Sequence, residues 1–222
     1  MLDNLTPEMI SLLITGIGET LYMTLVSTFM AYVFGLPVGI ILYITDVGGI
    51  KENRLINTIV GTVVNLMRSI PFILLLVAIM PFTRFVVGTT IGSTATIVPL
   101  VVSAAPYIAR MVESSLKEVD YGVIEAALSM GANSKQIIFK VLLVEAKPSL
   151  IVGAAIAITT ILGYSAMAGM VGGGGLGAIS INYGYYRYQN DIAWVTIILL
   201  IIIVQIFQEI GSRIAKRSDK RA

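Results

Sequence analysis

Long apolar runs alternate with short polar connections along most of this chain. An α-helix needs about 20 apolar residues to cross roughly 30 Å of hydrocarbon. Five stretches fit this requirement, namely residues 20–45, 56–82, 85–109, 150–171 and 192–207. The pattern predicts an all-α, polytopic membrane protein with five transmembrane helices, contained in a domain of residues 20–210.

The third stretch differs from the others because it is rich in serine and threonine and contains Pro99 and Pro106. Small and polar side chains favour contact with neighbouring helices over contact with lipid. We therefore expect this helix to be packed inside the bundle.

The first 19 residues contain acidic side chains but no lysine or arginine, so they lack the basic region of a cleavable signal peptide. Met9, Leu12, Leu13 and Gly16 recur at helical spacing. We expect residues 1–19 to be retained as a short external helix in the membrane interface, ahead of the first span.

Composition agrees with this class and excludes several chemistries. Hydrophobic residues make up 56% of the 222 residues and charged residues only 13%, whereas soluble domains carry about a quarter charged residues. The chain has no cysteine and no histidine, which excludes disulfides, thiol catalysis and Cys/His metal sites. The net charge of +2 is too small to indicate nucleic-acid binding.

Lysine and arginine positions predict the orientation in the membrane. Twelve of them fall in the first loop, the third loop and the C-terminal tail, two fall on the opposite side, and Arg68 lies within a span. The excess marks the cytoplasmic side. We therefore expect the N-terminus outside, with residues 110–148 and the basic tail, residues 211–222, in the cytoplasm.

The loop of residues 110–148 is predicted to contain two short helices, Tyr121 to Met130 and Ser134 to Val144. Gly131 would supply the positive φ that ends the first helix. Asn133 and Gln136 have the spacing of a capping box that opens the second. The pair is typical of a docking site for another protein, and the alternative is an ordinary amphipathic loop.

This loop resembles the EAA loop in the permease subunits of ATP-binding-cassette importers. The residues that match the family pattern are Glu125, Ala126, Ala127, Gly131 and Leu143. Val144 stands where the family usually has proline. The resemblance implies a type I importer permease fold, with Glu125, Ala126, Ala127 and Gly131 coupling the chain to a cytoplasmic ATPase. It also implies that ATP and Mg bind two copies of that ATPase and that this chain holds no cofactor.

Two further regions are candidates for the translocation path. Arg68, Ser69 and Pro71 lie in a string similar to the corresponding span of amino-acid importers. An ionisable residue in a span indicates a functional site, and the alternative is that the span begins later and Arg68 snorkels to the cytoplasmic interface. In the fourth span the candidates are Tyr164, Ser165 and Met167, with Met167 as a gate; for these the alternative is core packing.

A glycine run follows the fourth span, and its members are Gly172, Gly173, Gly174, Gly175 and Gly177. It lacks the Gly-Lys-Ser/Thr ending of a phosphate loop. We expect a sharp turn at the external mouth, with the tyrosines that follow in an aromatic belt. This string and residues 81–84 resemble the methionine-import permeases, which implies D- or L-methionine as the substrate. By the same resemblance, an external substrate-binding lipoprotein would dock at this lip.

Three classes of function are candidates for this sequence. An enzyme is disfavoured because the five predicted spans contain no acidic residue and the chain no histidine or cysteine. An ion-driven carrier or channel usually has acidic residues in its spans, and no inverted repeat is visible. The prediction is a permease subunit in the bacterial inner membrane, with another small amino acid or related solute as the alternative substrate. Five spans are too few to enclose a path, so we expect a homodimer surrounded by lipid.

Overall fold

The structure is a computed structural model that describes residues 5–218, and the described chain is helical without strands. Eleven α-helices follow one another with short π and 3₁₀ segments between them: α1 Pro7–Thr45, α2 Arg54–Ser69, α3 Phe72–Ala78, α4 Met80–Val87, α5 Ser93–Lys117, α6 Tyr121–Ser129, α7 Ser134–Gln136, α8 Leu143–Glu145, α9 Lys147–Ala168, α10 Gly175–Ile179 and α11 Asn190–Ser218. Within the described part, four helices are long and apolar enough to cross a membrane, and a bent pair brings the number to five. The all-α, polytopic fold is confirmed.

The first helix is continuous, so the separate external helix expected in residues 1–19 is wrong for the described residues, and residues 1–4 lie outside them. Thr6 caps the helix through its Oγ1, which accepts from the Met9 N–H at 3.3 Å, and Pro7 occupies the first turn. Gly16 lies within the continuous helix and lets α10 pack closely against it, since a Cβ there would meet Ile179. The 39 residues of α1 are about 58 Å long, so part of the helix extends beyond the hydrocarbon.

The second predicted span is broken, which corrects the single helix expected over residues 56–82. The α2 helix ends at Ser69, and α3 leaves it at an angle of 100°. Ile70 is extended, with φ −80° and ψ 121°, because a residue before proline is driven out of the α region. Pro71 has no N–H to continue the hydrogen-bond ladder. The third span begins later than predicted, since Phe85 belongs to α4, which ends at Val87 and is capped by Gly88 with φ 84°.

The α5 helix is the most buried of the four long helices, which confirms the expectation from its small and polar residues. It packs closely on α1, where Gly35 and Gly39 face it. A Cβ at Gly39 would lie 2.5 Å from the Ala109 carbonyl oxygen. This Gly-xxx-Gly spacing allows the two backbones to approach. The spacing of Gly35 and Gly39 is visible in the sequence, but the contact between α1 and α5 is not among our predictions.

The boundary between span and cytoplasmic loop also needs correction. The α5 helix continues to Lys117, so residues 110–117 belong to a long helix and not to the loop of residues 110–148. Glu113, which we expected in water, is only 6% exposed. The helix of the fourth predicted span, α9, begins earlier than predicted at Lys147 and ends earlier at Ala168, and the helix of the fifth, α11, is longer than predicted because it reaches Ser218. Residues 219–222 of the predicted basic tail lie outside the described residues.

One apolar core runs through the bundle and into the predicted docking loop. It includes Leu100 and Ile108 of α5, and it continues through Leu116 to Ile124 of α6 and Ile137. These side chains are at most 2% exposed. The two short helices are therefore fastened to the end of α5 by shared packing.

Candidate functional site

The α6 helix, its turn and the segment that follows form a compact unit, residues 120–145, which we call the coupling segment. Asp120 caps α6 by accepting from the Gly122 N–H at 2.7 Å. At the other end, Gly131 N–H donates to the Leu128 carbonyl at 2.9 Å, and Ala132 N–H donates to the Ala127 carbonyl at 3.0 Å. This pair of bonds is the Schellman motif. It requires the positive φ of 79° found at Gly131, as the sequence predicted.

The second half of the coupling segment begins with the predicted capping box. The Gln136 N–H donates to Asn133 Oδ1 at 3.0 Å, and the Asn133 N–H donates to Gln136 Oε1 at 2.8 Å. The single helix expected from Ser134 to Val144 is wrong in detail, because a π-helix over Ile137–Leu142 separates α7 from α8. The turn and box together fix the angle between the two halves.

The coupling segment has one face against the chain and one face free. Ala127 is only 5% exposed and belongs to the core, so this alanine packs inward and not against another protein. Glu125 and Ala126 are exposed. Leu128 and Met130 add apolar surface, at 45% and 81% exposure. The exposed part of α6 and its turn therefore offers the Glu125 carboxylate beside the apolar side chains of Leu128 and Met130.

Four charged side chains, which we call the charged cluster, connect the end of α5 to α1 and α2; they are Asp46, Arg110, Glu113 and Lys117. Lys117 Nζ lies 2.8 Å from Asp46 Oδ2 and 2.8 Å from Glu113 Oε1. Arg110 Nη1 lies 2.6 Å from Glu113 Oε2. Arg110 Nη2 also donates to the Gly61 carbonyl of α2 at 3.2 Å.

The cluster has a measurable electrostatic consequence at its edge. The hydrogen bond from Lys117, with a second from the Val47 N–H, holds the pKa of the Asp46 carboxyl below its ordinary value. Sequence reasoning missed the cluster because Asp46 and Lys117 are far apart in the chain. The spacing of Arg110, Glu113 and Lys117 on one helix face was its only visible signal.

The candidate path residues of the second span lie at its break. Arg68 is exposed in the last turn of α2, and the Ser69 hydroxyl donates to the Asn65 carbonyl at 2.9 Å. Pro71 caps α3 without a side-chain bond. The helix that carries Arg68 begins at Arg54, and both the path-lining role of Arg68 and its snorkelling to the interface stay predictions.

The candidate residues of α9 do not share one environment. The Tyr164 ring stacks on Phe72 of α3, with centroids 4.7 Å apart and an interplanar angle of 5°. Ser165 is 1% exposed and its hydroxyl donates to the Leu162 carbonyl at 2.8 Å, so it lines no path and its core-packing alternative holds. Met167 is 42% exposed and shares an open face with Gly163, where a Cβ would meet nothing within 4 Å.

The glycine run turns inward after α9 and packs against the bundle. Gly173, Gly175 and Gly177 are buried, because α1 and the end of α9 close over them, so these three cannot touch a docked protein. Gly172 is exposed and Gly174 half-buried. The run turns sharply as predicted, with φ 86° at Gly172 and 81° at Gly174.

Side chains of α1 and the backbone just before α5 hold this turn in place. Glu19 Oε2 accepts from the Gly175 N–H at 2.6 Å, and Thr20 Oγ1 accepts from the Leu176 N–H at 2.9 Å. The Gly92 N–H donates to the Gly172 carbonyl at 2.8 Å. Four aromatic residues beyond the turn are exposed, as expected of a belt at the headgroups: Tyr185, Tyr186, Tyr188 and Trp194.

A bundle of membrane-spanning helices with one broken span, and a rigid helical segment fastened to its most buried helix, defines a transport subunit of the membrane. Residues 35–221 match the family described as the binding-protein-dependent transport system inner membrane component. The chain belongs to this family, whose members are ABC importer permeases, and it is therefore an inner-membrane transport subunit and not an enzyme.

Named relatives and solved structures agree with the family. The chain is 49% identical over 210 residues to the "Probable D-methionine transport system permease protein MetI" of Vibrio cholerae, covering 95% of this chain and 93% of the relative. It is 53% identical over 165 residues to "D-methionine transport system permease protein MetI" of Escherichia coli K12, covering 74% and 76%.

Among solved structures, a chain of "Inward facing conformations of the MetNI methionine ABC transporter" superimposes with a TM-score of 0.96 at 50% identity, covering 97% of this chain and 100% of that one. A second neighbour, from "Crystal structure of an amino acid ABC transporter with histidines", has a TM-score of 0.78 at 18% identity, with 95% of each chain covered. At that identity the likeness concerns the fold alone.

Proposed function

We propose that this chain is the permease subunit of a methionine importer, which takes up D- or L-methionine. The observation that carries the proposal is the match to the MetNI permease chain over the full length of that chain, at a TM-score of 0.96. The relatives named as D-methionine permeases support the same substrate. Selectivity in this mechanism rests mainly with an external binding protein, which delivers the amino acid.

The working unit is a homodimer bound to two cytoplasmic ATPase subunits. The described residues of a single copy hold at most five spans, too few to enclose an amino-acid path, and a two-fold axis would place that path between copies. The open face of α9 around Gly163 and Met167 is available for the second copy. ATP and Mg bind the ATPase subunits, and this chain requires no cofactor of its own.

The free face of the coupling segment is the contact for the ATPase. Glu125 accepts hydrogen bonds from the partner, while Leu128 and Met130 fill apolar depressions around it. ATP binding favours the ATPase arrangement that holds the two coupling segments close together, and hydrolysis releases it. The coupling segment must bind the two arrangements with different affinity, since equal affinity shifts no equilibrium.

The break between α2 and α3 borders the path. Irregular backbone at membrane depth is tolerated where it is packed in protein or lines a watery cavity. Arg68 and Ser69 lie at that break and Tyr164 packs beside it on Phe72. Met167 gates the path from the open face of α9. The N-terminus lies outside and the C-terminus in the cytoplasm, as the lysines and arginines indicate.

Reconstitution tests this function directly. The chain is purified with its ATPase, inserted in proteoliposomes, and given labelled methionine together with the cognate binding protein. Methionine accumulation that needs hydrolysable ATP supports the proposal. Accumulation that continues without ATP, or a complex that transports only another solute, overturns it.

A further inference from the structure

The charged cluster lies where the coupling segment joins the bundle of long helices. Motion of the coupling segment would therefore reach the cluster first. Tyr121 begins α6 only four residues after Lys117 ends α5. Leu116 and Val119 share a core with Ile124 of the coupling segment. The end of α5 therefore follows any displacement of α6. The apolar core explains this first step, and a smaller apolar cluster of Leu42, Val64 and Ala109 packs α1, α2 and α5 together.

Hydrogen bonds and ion pairs make the remaining connections. Lys117 bridges from α5 to Asp46, which follows the last residue of α1. Arg110 reaches the Gly61 carbonyl in the middle of α2. Between them lies Glu113, whose side chain is 8% exposed and has both oxygens paired. The three helices thus meet in a single polar connection.

The buried carboxylate of Glu113 makes this cluster costly compared with apolar packing, although Asp46 and Lys117 are partly exposed. Apolar residues of the same volume often stabilise a fold as well as a buried ion pair or better. What paired charges add is a defined geometry, because each partner must keep its distance and direction. The cost is explained if the three helices have to keep one mutual arrangement while they move.

We propose that Asp46 is a positioning residue for transport, which acts through Lys117 to make α1 follow the end of α5 when the coupling segment moves. This inference rests on the proposed function. Without the connection, the ATPase still displaces α6, but part of that displacement is lost in slippage between α5 and α1. Transport then falls while ATP hydrolysis continues.

The variant Asp46→Asn removes the connection with little other change. An asparagine oxygen still accepts from the Val47 N–H, a bond of 2.9 Å in the wild type. The pairs that Glu113 makes with Arg110 and Lys117 stay intact, so no buried charge is left alone. The matched control is Glu209→Gln, which removes the same charge from an exposed pair with Arg213 at 2.6 Å.

The decisive measurement is the amount of methionine taken up per ATP hydrolysed in proteoliposomes that contain the chain, its ATPase and the binding protein. We expect Asp46→Asn to lower this ratio by between about twofold and thirtyfold, with Glu209→Gln equal to the wild type. A ratio for Asp46→Asn equal to the wild type overturns the inference, even if the melting temperature falls, because a purely structural pair changes only the amount of folded complex.

A second pair of variants keeps the test decisive if Asp46→Asn folds poorly. Lys117→Arg retains the charge and should keep the wild-type ratio, whereas Lys117→Met should lower it as Asp46→Asn does. Equal ratios for the two Lys117 variants contradict the inference. Failure of the proposed function is separate, since the wild-type complex would then show no ATP-dependent methionine uptake.

Discussion

Gly131 is the position where one substitution should uncouple the chain from its ATPase without disturbing the bundle. Its φ of 79° is required by the Schellman turn, and a Cβ there would meet nothing within 4 Å. The effect of Gly131→Val is therefore entirely a backbone effect. A left-handed conformation costs an L-residue roughly 1–2 kcal/mol, and a β-branched residue more.

A penalty of this size lowers the population of the native turn by a factor of about 5 to 30. The turn sets the angle of α6, so we expect ATP-driven methionine uptake per complex to fall by a similar factor in proteoliposomes. Gly131→Asn should recover most of the activity, because asparagine tolerates the left-handed region.

The matched control for this prediction is Gly88→Val at the end of α4. Gly88 also ends a helix, with a φ of 84°, and a Cβ there would meet nothing within 4 Å. The backbone penalty is comparable, but Gly88 lies far from the coupling segment in the chain. Equal uptake by Gly131→Val and wild type, or an equal loss in both valine variants, would refute the assignment of Gly131 to coupling.

Three further predictions concern local contacts. Gly39→Ala should destabilise the purified complex by about 1–3 kcal/mol, since its Cβ would lie 2.5 Å from the Ala109 carbonyl oxygen; Gly18→Ala, where a Cβ meets nothing within 4 Å, should not lower the melting temperature. Asn133→Ala should cost about 0.5–2 kcal/mol through loss of the capping box, measured as faster amide exchange in α7 and unchanged exchange in α9. The lowered pKa of Asp46 means that its stabilisation is present at neutral pH and is lost as the pH falls through that lowered value, so the melting temperatures of wild type and Asp46→Asn should differ at pH 7 and begin to converge only below about pH 4.

Local sequence signals predicted the coupling segment well. The positive φ at Gly131 and the capping box of Asn133 and Gln136 depend on residues at most five positions apart, and both are confirmed. The resemblance between residues 125–131 and the EAA loop led to the correct family. Such features can be predicted from the sequence because the hydrogen bonds that form them join residues close together in the chain.

The break in the second span could have been predicted from the sequence. Pro71 follows Ile70 inside an apolar run, and the rule for residues before proline predicts an extended Ile70. The apolar content of residues 56–82 alone predicts one helix. An apolar run shows that a segment is long enough to cross the membrane, but it does not show whether the helix hydrogen bonds are continuous along it.

Long-range contacts could not be predicted from one sequence. The Asp46 carboxylate meets Lys117 across the bundle, and the Glu19 carboxylate holds Gly175 at the other end. The sequence around each of these side chains does not indicate which distant residue it contacts. The same limit explains why Ser165 was placed in the path, because helical spacing does not tell which face of α9 is covered.

The most direct test of the account is methionine uptake by the reconstituted complex with ATP, with a non-hydrolysable analogue, and without nucleotide. The account predicts accumulation against a gradient only with hydrolysable ATP, and loss of that accumulation in Gly131→Val while the ATPase remains bound. Accumulation without nucleotide, or by this chain in the absence of any ATPase subunit, would contradict it.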